Sequence, residues 1–310
     1  MLLLRRGRIS VEADRWEQAE PLLERAYRAL LEREDILGAS RALVQRAIAY
    51  RLQGRFEEAI DTCQRVLELG GERDPLAATQ THHTLGICYH MQGDPDRSES
   101  EMRLALELAQ RQMDDTNAAF IAHDMGNMAV MRGKLLEGRQ HYHQALLHWR
   151  KIGNPSNLAM TLQSLGVVHQ YQGQYAEAQN RFEESLARAR DHDAPRLQVY
   201  ALLNLGDLAR DTNQYDRAQE IYQQALDLAS ATSITNLILY AQIAQADLAR
   251  LRGEHLQASR ILVETQDQID VSRMPYEAAL CYLALGALRS EQGDVAAAKQ
   301  ALSTALDLFT

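Results

Sequence analysis

Apolar and small residues recur along this chain at helical spacing, break at a glycine, and resume in the same order about one repeat later. Residues 165–179 read LGVVHQYQGQYAEAQ, residues 205–219 read LGDLARDTNQYDRAQ, and residues 125–139 read, less cleanly, MGNMAVMRGKLLEGR. Aligned on the small residue that opens the motif, the pattern falls at Gly7, Ala47, Gly86, Gly126, Gly166, Gly206, Ala246 and Gly286, with spacings of 40, 39, 40, 40, 40, 40 and 40. An interval this regular is a structural repeat.

Other positions keep step with this anchor. Seven residues on stand Asp14, Gly54, Gly93, Gly133, Gly173, Asn213, Gly253 and Gly293. Glycine and asparagine tolerate the left-handed backbone that ends a helix, so this position predicts a helix stop. Beyond it come two rows of small residues. One runs through Ala19, Ala59, Ser98, Gly138, Ala178, Ala218, Ala258 and Ala298, and the other includes Ala105, Ala145 and Ala225. Between the two rows lies a bulky one: Leu23, Cys63, Met102, Tyr142, Phe182, Tyr222, Leu262 and Leu302. A large knob among small holes is the arrangement that lets two helices approach closely. Pro75, Pro155, Pro195 and Pro275 all lie 11 residues before an anchor. Proline suits the first turn of a helix, where its missing N–H would be unpaired anyway. Each unit therefore predicts a helix of about 16 residues, a tight turn and a second helix of similar length.

These residues resemble the tetratricopeptide repeat (TPR), most clearly in LGICYHMQGD, LGVVHQYQGQYAEAQNRFEESLARA and LGDLARDTNQYDRAQEIYQQALDLA. The resemblance covers essentially the whole chain and implies an all-α fold, a right-handed α-solenoid of eight helix-turn-helix repeats. Their boundaries fall near 1–34, 35–74, 75–113, 114–153, 154–193, 194–233, 234–273 and 274–310, with no internal domain boundary. Two departures from the family pattern matter. The period is 40 rather than the usual 34, and the proline that closes the standard second helix is absent. Longer helices, and a superhelix with thicker walls, are expected. Repeats of this length look like those of bacterial signal-transduction ATPases with a TPR sensor, such as the maltose-regulon activator, and are similar to those of animal spindle-orientation adaptors. The local phrasing is closer to the bacterial group. Repeat arrays normally carry polar caps. The first repeat lacks the opening turns of its first helix and no capping helix follows the last repeat, so the chain reads as a piece of a longer protein.

Composition narrows the function. Of 310 residues, 46% are hydrophobic and only six are proline, which suits a helical chain with a large core. The net charge of −9 argues against a duplex nucleic-acid binder. Cys63, Cys88 and Cys281 are widely separated and form no CxxC pair, which argues against a disulfide framework or a structural zinc site. No stretch is long and apolar enough to span a bilayer, and the N-terminus MLLLRRGRIS is no signal peptide, so a cytoplasmic location is expected.

Catalytic motifs are missing. The chain has no GxxxxGK[ST] loop, no GxGxxG after a strand, no HExxH and no GxSxG. No enzyme activity, cofactor or metal is expected. Histidines cluster in the first half, and His83 and His123 occupy one place in adjacent repeats, but no third ligand follows them. His82 stands where a core leucine is usual and reads as a packed residue. Trp16 and Trp149 fall on second helices and read as packing or rim residues.

The TPR resemblance implies that first helices line a concave groove, with five positions of each facing a ligand. Six residues before the anchor this row includes Phe120, Tyr200 and Tyr240. Three before it come His83, His123 and Gln163; one after it, Asn127, Asp207 and Asp247. Four after it stand His90, Gln170, Arg210 and Arg250, and five after it Tyr171. None of the five rows contains a lysine, which rejects the carboxylate clamp of chaperone-binding TPRs. Apolar anchors beside a few polar groups are what a peptide or small-ligand groove needs. Asp207 with Arg210, and Asp247 with Arg250, form matching i,i+3 pairs that either neutralise one another or orient a ligand. Asn127 is placed where many TPRs grip a peptide backbone, although only one repeat has it. The expected role is a scaffold that binds a protein or peptide segment in the groove. The alternative is a sensor domain of a signal-transduction ATPase or transcription regulator, with a small-molecule effector or inhibitory protein as ligand. Direct nucleic-acid or membrane partners are not expected.

Overall fold

A computed structural model of the protein describes residues 2–12, 15–271 and 273–309. These form two compact units, Met1–Gly153 and Asn154–Thr310. The first unit contains α1 (Leu2–Glu12), α2 (Trp16–Leu31), α3 (Ile36–Leu52), α4 (Phe56–Glu68), α5 (Pro75–Met91), α6 (Pro95–Arg111), α7 (Asp115–Met131) and α8 (Leu135–Ile152). The second contains α9 (Pro155–Tyr171), α10 (Tyr175–Asp191), α11 (Pro195–Asp211), α12 (Tyr215–Ala231), α13 (Thr235–Leu251), α14 (His255–Gln266), α15 (Pro275–Glu291) and α16 (Val295–Phe309). Among the described residues each of the two units carries four helix pairs, stacked as the all-α solenoid expected from the repeat. From the second repeat onward the first helices are uniformly 17 residues long, whereas second helices vary more, down to 13 in α4 and 12 in α14.

Local chemistry sets the helix ends. Pro75, Pro155, Pro195 and Pro275 open first helices as expected, and Pro95 opens α6. Asp35, Asp94, Asp114 and Asn154 cap theirs by accepting the backbone N–H three residues on, at 2.9–3.1 Å. The expected stop residues Gly54, Gly93, Gly133, Gly173, Asn213, Gly253 and Gly293 all have positive φ. The remaining one, Asp14, lies outside the described residues. A second left-handed position joins successive repeats, and there the residue is often not glycine: Glu34, Met113, Asp193 and Ser233 have φ between 48° and 58°.

The core follows the knob-and-hole reading. A Cβ placed on Gly126 would lie 2.5 Å from the Tyr142 ring, and one on Gly86 would lie 2.6 Å from Met102. Phe182 closes on Gly166 and Tyr222 on Gly206 in the same way. Each bulky residue thus seats on the anchor of its own repeat, across the helix pair. Leu23 on Gly7 and Leu302 on Gly286 are aliphatic knobs, and where the anchor is alanine no knob is aromatic: Cys63 clusters with Ala47 and Leu262 with Ala246. Within each unit a first helix touches its own second helix, the preceding second helix and the neighbouring first helices. Among the described residues of each unit no second helix packs on another, so within a unit first helices form one layer and second helices the other.

Candidate functional site

In the second unit the first-helix layer holds a cavity of about 260 Å³. Asp207 and Arg210 enter it from α11, and Tyr240, Ile243, Ala244 and Asp247 from α13. From α15 come Leu280, Leu283, Ala284 and Ala287. The wall is apolar and the rim is charged. Four of the residues assigned to a groove from sequence, Asp207, Arg210, Tyr240 and Asp247, are brought together here.

The rim forms one ion network. Arg210 Nη1 lies 3.1 Å from Asp207 Oδ1 and 3.7 Å from Asp247 Oδ2, and its Nη2 lies 2.9 Å from Asp211 Oδ1. Arg250 Nη2 lies 2.8 Å from Asp247 Oδ1, and its Nη1 pairs with Glu291. Gln170 Nε2 donates to Asp211 Oδ2 at 2.7 Å. The matching i,i+3 pairs read from sequence are therefore linked across repeats by Arg210. Burial holds the Asp207 carboxyl above the ordinary carboxylate range, against the pull of Arg210 and the Tyr222 hydroxyl. Burial also raises the Tyr240 hydroxyl, with Asp207 adding to the effect. Tyr171 and Tyr200 are exposed on the same layer.

Gln163 has a different place. It is buried, and its Nε2 donates to Ser185 Oγ at 3.0 Å and to the Leu197 carbonyl at 3.1 Å, tying α9 to α10 and α11. A polar residue at a groove position has here become a packing residue, because Ser185 supplies a hydroxyl where a larger side chain would fill the space.

The first unit gathers the histidines without joining them. His83 Nε2 meets Asp124 Oδ2 at 2.8 Å, and His123 is buried with its ring 5.4 Å from that of Tyr142. His90 Nδ1 lies 3.5 Å from Arg132 Nη2, and burial together with that cation lowers its pKa. His82 is buried, with Nδ1 2.6 Å from Glu101 Oε2. Among the described residues no three histidine, cysteine or acidic side chains converge on a metal-sized point. All three cysteines are buried, and burial pushes the Cys88 and Cys281 thiols up to about 11. The Asn127 Oδ1 accepts the Tyr142 hydroxyl at 2.7 Å, so part of the amide read as a peptide grip is engaged inside its own repeat. Phe120 stands edge-on to the fully buried Trp149, with ring centroids 4.8 Å apart. A second cavity of about 380 Å³ opens beside Arg5, Arg8, Arg41, Gln45 and Gln80.

One row escaped the sequence reading. Asp124, Ala244 and Ala284 lie two residues before their anchors, as do Arg5 and Gln45. That position is one helical turn after the row six before the anchor, so i,i+4 spacing places it on the same face.

Four stretches, residues 1–69, 38–111, 115–191 and 164–233, match models described as tetratricopeptide repeat. The chain belongs to the tetratricopeptide repeat family. Its TPR fold is similar to that of the apo quorum sensor NprR from B. thuringiensis, at a TM-score of 0.74 and 14% identity over 100% of this chain and 87% of that one. A signal transduction ATPase from Pyrococcus horikoshii with a tetratricopeptide repeat sensor gives a TM-score of 0.70 at 18% identity, covering 97% of this chain and 46% of that one. Among curated proteins, the transcriptional activator NprA of Geobacillus stearothermophilus is 30% identical over 105 residues, which are 34% of this chain. The match spans about a quarter (26%) of that relative's length. At these identities the structural likeness is one of fold.

Proposed function

We propose that this TPR array is a non-enzymatic scaffold that binds a protein or peptide segment along its first-helix layer. The cavity between α11, α13 and α15 carries the reading. It sets an apolar wall beneath oriented charged groups, which is what a recognition pocket needs to combine affinity with specificity. Its residues come from three successive repeats, as a segment lying across repeats would require. Among the described residues no helix is long and apolar enough to cross a membrane, and a cytoplasmic protein partner suits the reading.

A sensor role is the second reading. It draws support from the fold shared over nearly the whole chain with a quorum sensor and an ATPase's TPR sensor, and from the match to a transcriptional activator. In that case ligand binding would bias an attached effector domain between two states.

The test is affinity selection of a random-peptide library on the purified chain. The combined variant Tyr200→Ala, Tyr240→Ala and Arg210→Ala should lose the selected binders. Retention of all of them would remove the groove assignment, and nucleotide hydrolysis by the purified chain would remove the non-enzymatic reading. Reading the gene on either side of this segment separates scaffold from sensor: an adjoining P-loop or helix-turn-helix domain identifies the sensor.

A further inference from the structure

The cavity in the second unit is short of positive charge. Four carboxylates, those of Asp207, Asp211, Asp247 and Glu291, share two guanidiniums, those of Arg210 and Arg250. At the far end His255 Nε2 lies 3.5 Å from Glu291 Oε2, away from the cavity lining. Arg210 is thus shared by Asp207, Asp211 and Asp247, and Arg250 by Asp247 and Glu291, which leaves the network two positive charges short.

Asp247 is the telling member. The residue one after the anchor meets the knob of its own repeat. Asn127 accepts a hydroxyl from Tyr142, and Asp207 accepts one from Tyr222 at 2.6 Å. In the repeat of Asp247 the knob is Leu262, which has no hydroxyl to give. The knob thus gives no reason for a carboxylate there, and the internal partner of Asp247 is the i,i+3 cation Arg250. Asp247 also meets the distant edge of Arg210, and it lines the cavity. Tyr240 adds an aromatic ring to the same rim, and such rings attract cations. Beneath the rim, Ile243, Leu280, Leu283 and Ala284 give an aliphatic wall.

We propose that this cavity seats a basic side chain of a bound peptide, its cation taking over the loose 3.7 Å contact of Arg210 on Asp247 so that Arg210 is left to Asp207 and Asp211, and an aliphatic neighbour against Leu280 and Leu283. The inference rests on the groove reading above and specifies its occupant. Charge complementarity selects the partner: an acidic peptide would meet two excess carboxylates, whereas an arginine or lysine completes the network.

The experiment is a random-peptide library displayed on phage, selected in parallel on the wild-type chain and on four variants. Asp247→Asn and Asp207→Asn remove one charge each. Asparagine at position 207 can still accept the Tyr222 hydroxyl, as Asn127 does from Tyr142, so the fold is retained, and a circular-dichroism melt checks it. Ala287→Phe fills the cavity. Wild-type binders should be enriched in arginine or lysine next to leucine, isoleucine or methionine. They should bind each asparagine variant on the order of tenfold more weakly and be lost on Ala287→Phe. Asp247→Lys should redirect the selection towards glutamate and aspartate. Binders without a basic residue that are nonetheless lost on Ala287→Phe overturn the inference and leave the groove reading standing. Binders indifferent to Ala287→Phe, or no enrichment at all, overturn both.

Discussion

The Tyr222 hydroxyl donates to Asp207 Oδ1 at 2.6 Å, joining the knob of a second helix to a carboxylate that lines the cavity of the first-helix layer. The pair ties packing to the candidate site. Where the knob is Phe182, the facing residue is Val167, so the chain itself contains the apolar alternative. Tyr222→Phe removes a donor from a half-buried carboxylate and should destabilise the chain by about 1–2 kcal/mol at neutral pH. Adding Asp207→Val should recover most of that loss. Urea denaturation of the two single variants and the double variant measures the coupling.

Asp207 also sets a pH dependence. Burial holds its folded-state pKa above the unfolded value, so the ionised carboxylate opposes folding. That penalty is complete above the raised pKa, fades as pH falls through it, and is gone below the unfolded pKa. Asp207→Asn should therefore be more stable than wild type at neutral pH, with the two stabilities converging under acid conditions. Thermal melts across that range check it. A gap that widens towards acid would reverse the assignment.

The anchor glycines have a separate task. A methyl group on Gly166 would overlap the ring of Phe182. Gly166→Ala should cost about 1–3 kcal/mol through overpacking. Adding Phe182→Leu reproduces the Ala246–Leu262 combination and should return part of it. Midpoints in urea for the single and double variants decide whether the contact is the cause.

Left-handed backbone at Met113 gives the opposite sign. Its φ is 54° and its side chain is 84% exposed, so it pays strain without packing gain. Met113→Gly should raise stability by about 1 kcal/mol. Gly173→Ala is the converse control. With φ at +71° and open space around the added methyl, any loss there is purely backbone strain. Opposite shifts in melting temperature are expected.

Anchors, knobs and helix stops were legible because each answers to a steric rule that leaves one kind of residue possible. Gly126 admits Tyr142 only without a Cβ, and Gly173 turns only at positive φ. The candidate site was legible in outline, since Asp207, Arg210, Tyr240 and Asp247 were all placed on it from their rows. What escaped depends on contacts between helices. The Tyr142 hydroxyl reaches Asn127 from 15 residues away, and Ser185 draws Gln163 into the core from 22 away. Neither partner can be seen by reading one row at a time. Asp124, Ala244 and Ala284 stand on a further row that the family pattern does not mark and that i,i+4 helical geometry alone supplies.

The cavity draws its walls from three successive repeats, and no single repeat contains it. Excising or duplicating one 40-residue cassette between residues 194 and 310 would leave each remaining repeat its own anchor, knob and turn, while erasing or transposing the pocket. Recognition in such a chain can change in one genetic event, by copy number, without a single amino-acid substitution.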